Sequence, residues 1–211
     1  MARQSGRKLP EVSSGSMADI AFLLLIFFLV TTTIANDKGI LLMLPPPDDE
    51  QEELDIDIHQ RNIFKILANS KDQLLVEDEP FRESPSKLKE EVKKFILNFG
   101  SPTQEGVEIY NSFPPELKRY VNANGRRRTS SDDPTNLKAV VSFKANRGTS
   151  YELYIEVLDA VNAAYNEVYG ARVGLTADEF LALDKRDESQ KAVYDLARAG
   201  IPRAISIAKP D

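Results

Sequence analysis

A single acidic residue near the start of a long apolar run constrains this chain more than any other feature. The run Met17–Ile34 reads MADIAFLLLIFFLVTTTI, and Asp19 is the only charged residue between positions 12 and 36. The 15 residues from Ile20 onward make about 22 Å of helix, whereas a bilayer core is about 30 Å thick and takes about 20 residues to cross. A transmembrane helix must therefore begin before Asp19, and Gly15–Ile34 supplies the length. In such a helix the Asp19 carboxyl group lies inside the membrane.

Two interpretations of Asp19 follow from its position. Ionisable groups within a membrane are costly, and they usually face a protein partner or a water-filled path, often as part of a proton relay. A low-dielectric surrounding favours the neutral form of a carboxyl group, which lets such a group take up and release protons. Alternatively, Asp19 caps the helix, where its charge suits the positive amino-terminal dipole. The residues alone leave both interpretations open.

A cleavable secretory signal is the main rival to a retained membrane anchor. The chain has a basic start, an apolar middle and a weak cleavage-like triplet (TIA) at 33–35. However, an acid at the head of the apolar region is unfavourable in a signal, and the run is longer than the usual signal core. We therefore favour the anchor. Arg3, Arg7 and Lys8 favour a cytoplasmic amino terminus, so the remainder crosses the membrane.

Composition excludes several classes of function. The net charge is −6 and the amino-terminal 18 residues are basic, so the exported part is acidic and unsuited to nucleic acid. The absence of cysteine excludes disulfides and thiolate chemistry, and the single histidine, His59, excludes multi-histidine metal sites and most catalytic triads. The sequence has neither a glycine-rich phosphate-binding loop nor a Gly-x-Ser-x-Gly motif. We predict no enzymatic activity, no metal and no cofactor.

Beyond the helix, the pattern predicts an extended linker and then strands. Residues 37–53 combine three consecutive prolines with an acidic run, and both features favour an extended spacer. Leu54–Ile58 alternates apolar and polar residues like a half-buried strand. Further strands are predicted at 63–67, 73–76, 138–143 and 203–208.

Helical periodicity predicts helices between these strands. Ser84 and Pro85 begin one, whose apolar stripe runs to Phe99 and whose left-handed cap is Gly100. Thr149-x-x-Glu152 and Thr176-x-x-Glu179 fit capping boxes for two more helical regions, which end at Gly170 and near Gly200.

The segment from about 100 to 136 is predicted to be a loop insert. Its prolines and glycines preclude a long regular element, although 117–121 fits a turn or two of helix. The triplet Arg126-Arg127-Arg128 is typical of a solvated loop, with an anionic glycan or a lipid head group as the functional alternative.

The stretch SSGSMADIAFLLLIFFLV, residues 13–30, resembles the transmembrane signature of the ExbD/TolR family of biopolymer transport proteins. In that family a short basic cytoplasmic tail leads to one helix whose early aspartate carries the proton. Leu44-Pro45 stands where the family often has a Leu-Pro motif. The segments 143–146 and 150–152 resemble the strand, turn and helix start of its periplasmic domain. Ser16 departs from the family pattern, which has proline there.

The resemblance implies roles for individual residues. Asp19 would be the proton-translocating group, and Leu44 and Pro45 would form the linker motif beyond the helix. Helix packing and partner binding would involve Ser16, Leu23, Ile26, Phe27, Val30 and Thr31. The implied partners are a polytopic ExbB/TolQ-like subunit, a TonB-like protein, a second copy of the chain and the lipid bilayer. Peptidoglycan is a further candidate partner, and nucleic acid is excluded.

Together these observations predict an α+β protein with one amino-terminal transmembrane helix. The predicted parts are a cytoplasmic tail (1–14), the helix (15–36), the linker (37–53) and a periplasmic domain with helices on a mixed sheet (54–211). The expected function is a proton-motive-force-coupled subunit of an inner-membrane complex that powers TonB-dependent transport across the outer membrane. A Tol-type or motility stator, or a membrane-anchored periplasmic binding module, remains an alternative. The ion (proton or sodium) and the copy number stay open.

Overall fold

The computed structural model describes residues 14–31 and 59–208, and in the first helix it describes the side chains at 15 and 17–27. The chain divides into two compact units, Met1–Pro46 and Pro47–Asp211. The predicted linker and the predicted strand at 54–58 lie outside the described residues, as does the predicted tail up to residue 13.

The described part of the first unit is one helix, α1 (Ser14–Thr31). Its 18 residues extend about 27 Å. Large apolar side chains along it are 41–64% exposed, among them Met17, Leu23 and Phe27. Within the described ranges, no helix reaches the combination of length and apolarity that a bilayer crossing requires. The transmembrane assignment of this segment stays a prediction.

The second unit is built on a five-stranded mixed sheet. A 3-10 turn (Gln60–Asn62) leads into β1, and the strand order is β3-β2-β1-β4-β5. The strands are β1 (Ile63–Ala68), β2 (Leu74–Val76), β3 (Glu79–Phe81), β4 (Val140–Ala145) and β5 (Ile205–Ala208). Strands β1, β2 and β3 pair antiparallel, whereas β4 pairs parallel with both β1 and β5. The helices are α2 (Pro85–Ile96), α3 (Gln104–Ser112), α4 (Pro115–Ala123), α5 (Tyr151–Val173), α6 (Ala177–Leu181) and α7 (Glu188–Arg198).

The core lies between one face of the sheet and helices α2 and α5. The parallel register places Ile66 beside Phe143, and both side chains are fully buried. Phe64 contacts Phe95 of α2 at 5.2 Å between ring centroids, and Phe143 contacts Tyr154 of α5 at 5.4 Å. The alternate residues of β1 are half-buried, as expected for a sheet covered on one face. The predicted α+β class with helices on a mixed sheet is confirmed.

The predicted end of α2 is wrong. The helix begins after Ser84, as predicted, but it ends at Ile96, and Gly100 does not take the left-handed conformation. A Cβ at Gly100 would lie 2.2 Å from the Arg127 carbonyl oxygen. Glycine is therefore required there for close backbone approach. Leu97 and Phe99, which follow the helix, are buried in the core.

The 100–136 segment is also more regular than predicted, because it holds two nine-residue helices, α3 and α4. The first three prolines of the segment lie at or before the starts of these helices, whereas Gly106 lies within the first turn of α3. The Thr103 side chain accepts a hydrogen bond from the Gly106 amide and caps α3, and Pro115 occupies the first turn of α4, where its missing N–H is harmless. The Arg126–Arg128 triplet is exposed, as expected of a loop.

The capping predictions for the last helices have mixed outcomes. Ser150, rather than Thr149, caps α5, and Thr149 instead donates to the Ala68 and Asn69 carbonyl oxygens. Helix α5 continues past Gly170 to Val173, where Gly174 takes the left-handed cap with φ +74°. The predicted capping box at Thr176 is confirmed. The helical region that it begins is split into α6 and α7.

Candidate functional site

Asp19 lies on α1, well inside the helix. With Ser14 as the first residue of the helix, Asp19 is the sixth. It therefore lies about 7.5 Å along the axis from the helix start. Helix-dipole stabilisation of an acid falls off within the first turn. The first turn of α1 contains no acidic residue. Capping therefore does not explain Asp19, and its side chain is exposed among apolar neighbours.

Helical spacing decides which predicted packing residues share a face with Asp19. At about 100° per residue, positions 16, 23, 26, 27 and 30 lie within about 80° of position 19 around the helix. Position 31 lies about 120° away and is at the margin of this face. Leu23, Ile26 and Phe27 have described side chains, all exposed. The side chains of Ser16, Val30 and Thr31 lie outside the described set, as do Leu44 and Pro45 entirely.

Two neighbouring acids of the second unit are buried, and both have structural partners. Asp132 accepts hydrogen bonds from Arg61 Nε at 2.8 Å and from Arg61 Nη2 at 3.2 Å, and Asn62 Nδ2 also donates to it at 3.1 Å. Burial raises the pKa of Asp132, but the hydrogen bonds from Arg61 and Asn62 and the charge of Arg61 outweigh it and hold this pKa below its ordinary value. The ion pair ties the end of the insert to the start of β1.

Asp133, near the end of the insert, is hydrogen-bonded to Thr103 near its start and to Thr135 beside it. Its Oδ2 accepts from the Thr103 amide at 2.8 Å and the Thr103 hydroxyl at 2.9 Å. Its Oδ1 accepts from the Thr135 amide at 2.9 Å and from the Thr135 hydroxyl. Burial raises the pKa of Asp133, but these hydrogen bonds outweigh it and lower this pKa. Both acids are held as carboxylates, so neither resembles a group that exchanges protons near neutral pH.

The described residues contain no cluster of three or more His, Cys, Asp or Glu side chains suited to a metal ion. His59 is exposed just before the 3-10 turn. Another cluster was missed by sequence reasoning: Lys185, Arg198 and Arg203 gather around Tyr169 and Tyr194. The spacing of Tyr194 and Arg198, one helical turn apart, was the only signal in the sequence that could have indicated it.

A family model described as biopolymer transport protein ExbD/TolR matches residues 6–174, which is most of the chain. The chain belongs to the ExbD/TolR family of biopolymer transport proteins. No curated protein and no solved structure matches it significantly.

The region matched by the ExbD/TolR family model includes both parts of the chain whose sequence resembles that family. The matched region includes α1 with Asp19 and the second unit through the end of α5. Helices α6 and α7 and strand β5 follow residue 174, so the ExbD/TolR match does not extend to them. Lys185, Arg198 and Arg203 therefore belong to a part of this ExbD/TolR-family chain that the family model leaves uncovered.

Proposed function

We propose that this ExbD/TolR-family chain is the proton-coupled subunit of an inner-membrane energy-transducing complex that powers TonB-dependent transport across the outer membrane. One observation carries the proposal: α1 holds a single carboxyl group, Asp19, beyond its first turn and on a surface of exposed apolar side chains. An acid placed there has no capping role to explain it. In this proposal α1 lies in the membrane with the amino terminus in the cytoplasm and the second unit in the periplasm.

The exposed apolar surface of α1 supports a membrane location and a membrane partner. Met17, Ile20, Phe22 and Leu25 are 58–64% exposed, and apolar surface on this scale is normally covered by lipid or protein. A lone helix cannot enclose a water path around a carboxyl group. A polytopic ExbB/TolQ-like subunit would supply that path, with a second copy of this chain beside α1. The face that carries Asp19 and positions 16, 23, 26, 27 and 30, with 31 at its margin, would pack against that subunit.

The proposed mechanism converts proton movement into motion of the second unit. Asp19 would take up a proton from one side and release it to the other. Each charge that crosses a potential of about 100 mV releases roughly 2.3 kcal/mol, so several protons can drive a helix shift against its neighbours. Residues 37–53, including Leu44 and Pro45, would act as the tether to the second unit, and that unit would act on a TonB-like protein.

Replacement of Asp19 by asparagine tests the proposal. Asp19→Asn removes the exchangeable proton and preserves side-chain size, so TonB-dependent uptake should fall to the level of an uncoupled strain while the complex still co-purifies. Asp159→Asn makes the same chemical change at an exposed acid of α5 and should leave uptake unchanged. Normal uptake in the Asp19→Asn strain, with the complex intact, would refute the proton-carrier role.

A Tol-type role is the second candidate, because the family description that matches the chain includes both ExbD and TolR. The subunit that co-purifies with the chain from membranes distinguishes a TonB-linked complex from a Tol-linked or motility complex. A membrane-anchored binding module, for example for peptidoglycan, predicts a different result. In that case an unrelated transmembrane helix in place of α1 would preserve function, whereas the proton-coupled mechanism predicts loss of function.

A further inference from the structure

Cations from α7 and the segments on either side of it gather around two tyrosine rings, and we name this group the cation–tyrosine cluster: Lys185, Arg198, Arg203, Tyr169 and Tyr194. Lys185 Nζ lies 4.3 Å from the centroid of the Tyr194 ring, and Arg198 Cζ lies 5.3 Å from it. Arg198 Nη1 also donates to the Tyr194 hydroxyl at 3.2 Å. Arg198 and Arg203 lie 5.9 Å and 5.6 Å from the Tyr169 ring. Three positive charges therefore share one small surface.

The rings hold this arrangement in place. Tyr194 stacks on Phe180 with 5.2 Å between centroids and 6° between planes. Phe180 is buried and contacts Tyr169 at 5.6 Å, which links α6 and α7 to α5. Since Phe180 covers one face of the Tyr194 ring, the outer face and the hydroxyl edge remain for Lys185 and Arg198. Both cations are exposed, so a ligand in solution can reach them.

No carboxylate of the described residues neutralises these charges. Ion pairs elsewhere in the second unit join lysine or arginine to an acid within 4 Å, but none of them includes Lys185, Arg198 or Arg203. Arg203 donates to the neutral amide oxygens of Asn162 and Asn166, and its Nε is buried without a hydrogen-bond partner. Arginine otherwise favours a carboxylate or phosphate as partner.

The positive charges lower the pKa of the Tyr194 hydroxyl. Burial raises the pKa of its hydroxyl, but a hydrogen bond from Lys185 and the charges of Arg198, Lys185 and Arg203 outweigh it and hold this pKa below its ordinary value. A lowered pKa means that the surroundings stabilise the anionic form of Tyr194. The positive charges therefore make the position of the Tyr194 oxygen favourable for negative charge.

We propose that Lys185 and Arg198, backed by the charge of Arg203, bind one carboxylate group of a peptide segment from a partner protein. The surroundings favour a peptide over a membrane or a polyanion. Residues 177–198 contain six acidic and four basic residues, so this surface as a whole repels an anionic bilayer and attracts negative charge only at the cluster. Leu181, four residues before Lys185, is 62% exposed and suits an apolar residue of the peptide.

Peptide binding to the full-length chain in detergent micelles tests this inference. The probes are an end-blocked Ala-Leu-Glu-Leu-Ala pentapeptide and its glutamine counterpart, each carrying an uncharged BODIPY dye, and the readout is fluorescence anisotropy. The glutamate peptide should bind at least tenfold more tightly than the glutamine peptide, and its affinity should fall as salt is raised. Arg198→Gln and Lys185→Gln should each weaken its binding about fivefold or more. Lys191→Gln, at an exposed lysine of α7 outside the cluster, should have no effect.

The controls distinguish a peptide site from a damaged fold and from a general anion site. Arg198→Lys keeps the charge and should restore part of the binding, whereas a variant that merely damaged the fold would not be rescued. Equal binding of the two peptides, or unchanged binding in Lys185→Gln, would overturn the proposal. Competition by inorganic phosphate or by phosphatidylglycerol vesicles as effective as that by the unlabelled glutamate peptide would also overturn it, because the site would then be a general anion or membrane site.

Discussion

The buried carboxylate of Asp133 gives the sharpest stability prediction. The Asp133 side chain is fully buried, and each of its oxygens accepts one backbone amide and one threonine hydroxyl. In Asp133→Asn, one oxygen becomes an NH2 group, which necessarily faces the backbone amide of Thr103 or Thr135. A hydroxyl can rotate to accept a hydrogen bond, but a backbone amide cannot. The substitution therefore leaves one of these backbone N–H groups without its acceptor, either the buried one of Thr135 or the part-buried one of Thr103.

The expected loss in the free energy of unfolding is about 1–3 kcal/mol. An unsatisfied buried donor costs about 1–3 kcal/mol, and the remaining bonds lose the strength that a charged acceptor gives them. Lys138 Nζ, at 3.9 Å from Oδ2, loses its ionic partner as well. Urea denaturation followed by tyrosine fluorescence measures this directly, because all seven tyrosines lie between residues 110 and 194 and report on the second unit alone.

The lowered pKa of Asp133 determines how its contribution to the free energy of unfolding changes with pH. The folded-state pKa of Asp133 is lowered from the ordinary value of 3.8. The stabilisation that the Asp133 carboxylate gives to the folded state is therefore fully present above the unfolded-state pKa. This stabilisation is lost as the pH falls through the lower folded-state pKa. The stability difference between wild type and Asp133→Asn should be largest near neutral pH and shrink below about pH 4. Asp159→Asn, at an exposed acid, should stay within about 0.5 kcal/mol of wild type. If Asp133→Asn matched that control, the hydrogen-bond account of the insert would be refuted.

Two further predictions concern single positions of the second unit. Leu137 is 37% exposed and has φ +59°, which costs a leucine roughly 1–2 kcal/mol. In Leu137→Gly the relief of this strain opposes the lost apolar burial and the greater freedom of unfolded glycine, so the free energy of unfolding should fall by less than about 1.5 kcal/mol. A loss above about 2 kcal/mol in urea denaturation, as for truncation of an unstrained leucine, would contradict this. Tyr194 has a lowered pKa, whereas burial raises that of Tyr165 and Tyr169, so Tyr194 should ionise before those two in a titration followed at the tyrosinate absorbance, and Tyr194→Phe should remove that early step. An unchanged titration in Tyr194→Phe would contradict the assignment.

Local periodicity made much of the fold predictable. The apolar run of β1, the valine-rich β4 and the capping box at Thr176 are properties of a few neighbouring residues, and each was located from the sequence. The end of α2 was misplaced because Phe99 continues an apolar periodicity although the helix has already ended. There the close approach of Gly100 to the Arg127 carbonyl, a tertiary contact, decides the backbone path.

The remaining features depend on contacts between distant residues. The Asp132–Arg61 pair joins positions 71 apart in the chain, and nothing in either local sequence indicates the other. The cation–tyrosine cluster likewise forms only when α7 and the residues before β5 pack against α5. Asp19 stood out from the sequence because its signal, one acid in an apolar run, is entirely local.

Proton flux through the reconstituted complex tests the central claim most directly. The chain and its co-purifying membrane subunit would be placed in liposomes, and a potassium-diffusion potential would drive protons while a pH-sensitive dye reports the lumen. The proton-carrier account predicts a potential-dependent flux with the wild-type chain and with Asp159→Asn, and none above the liposome background with Asp19→Asn. Wild-type flux from the Asp19→Asn complex would contradict it.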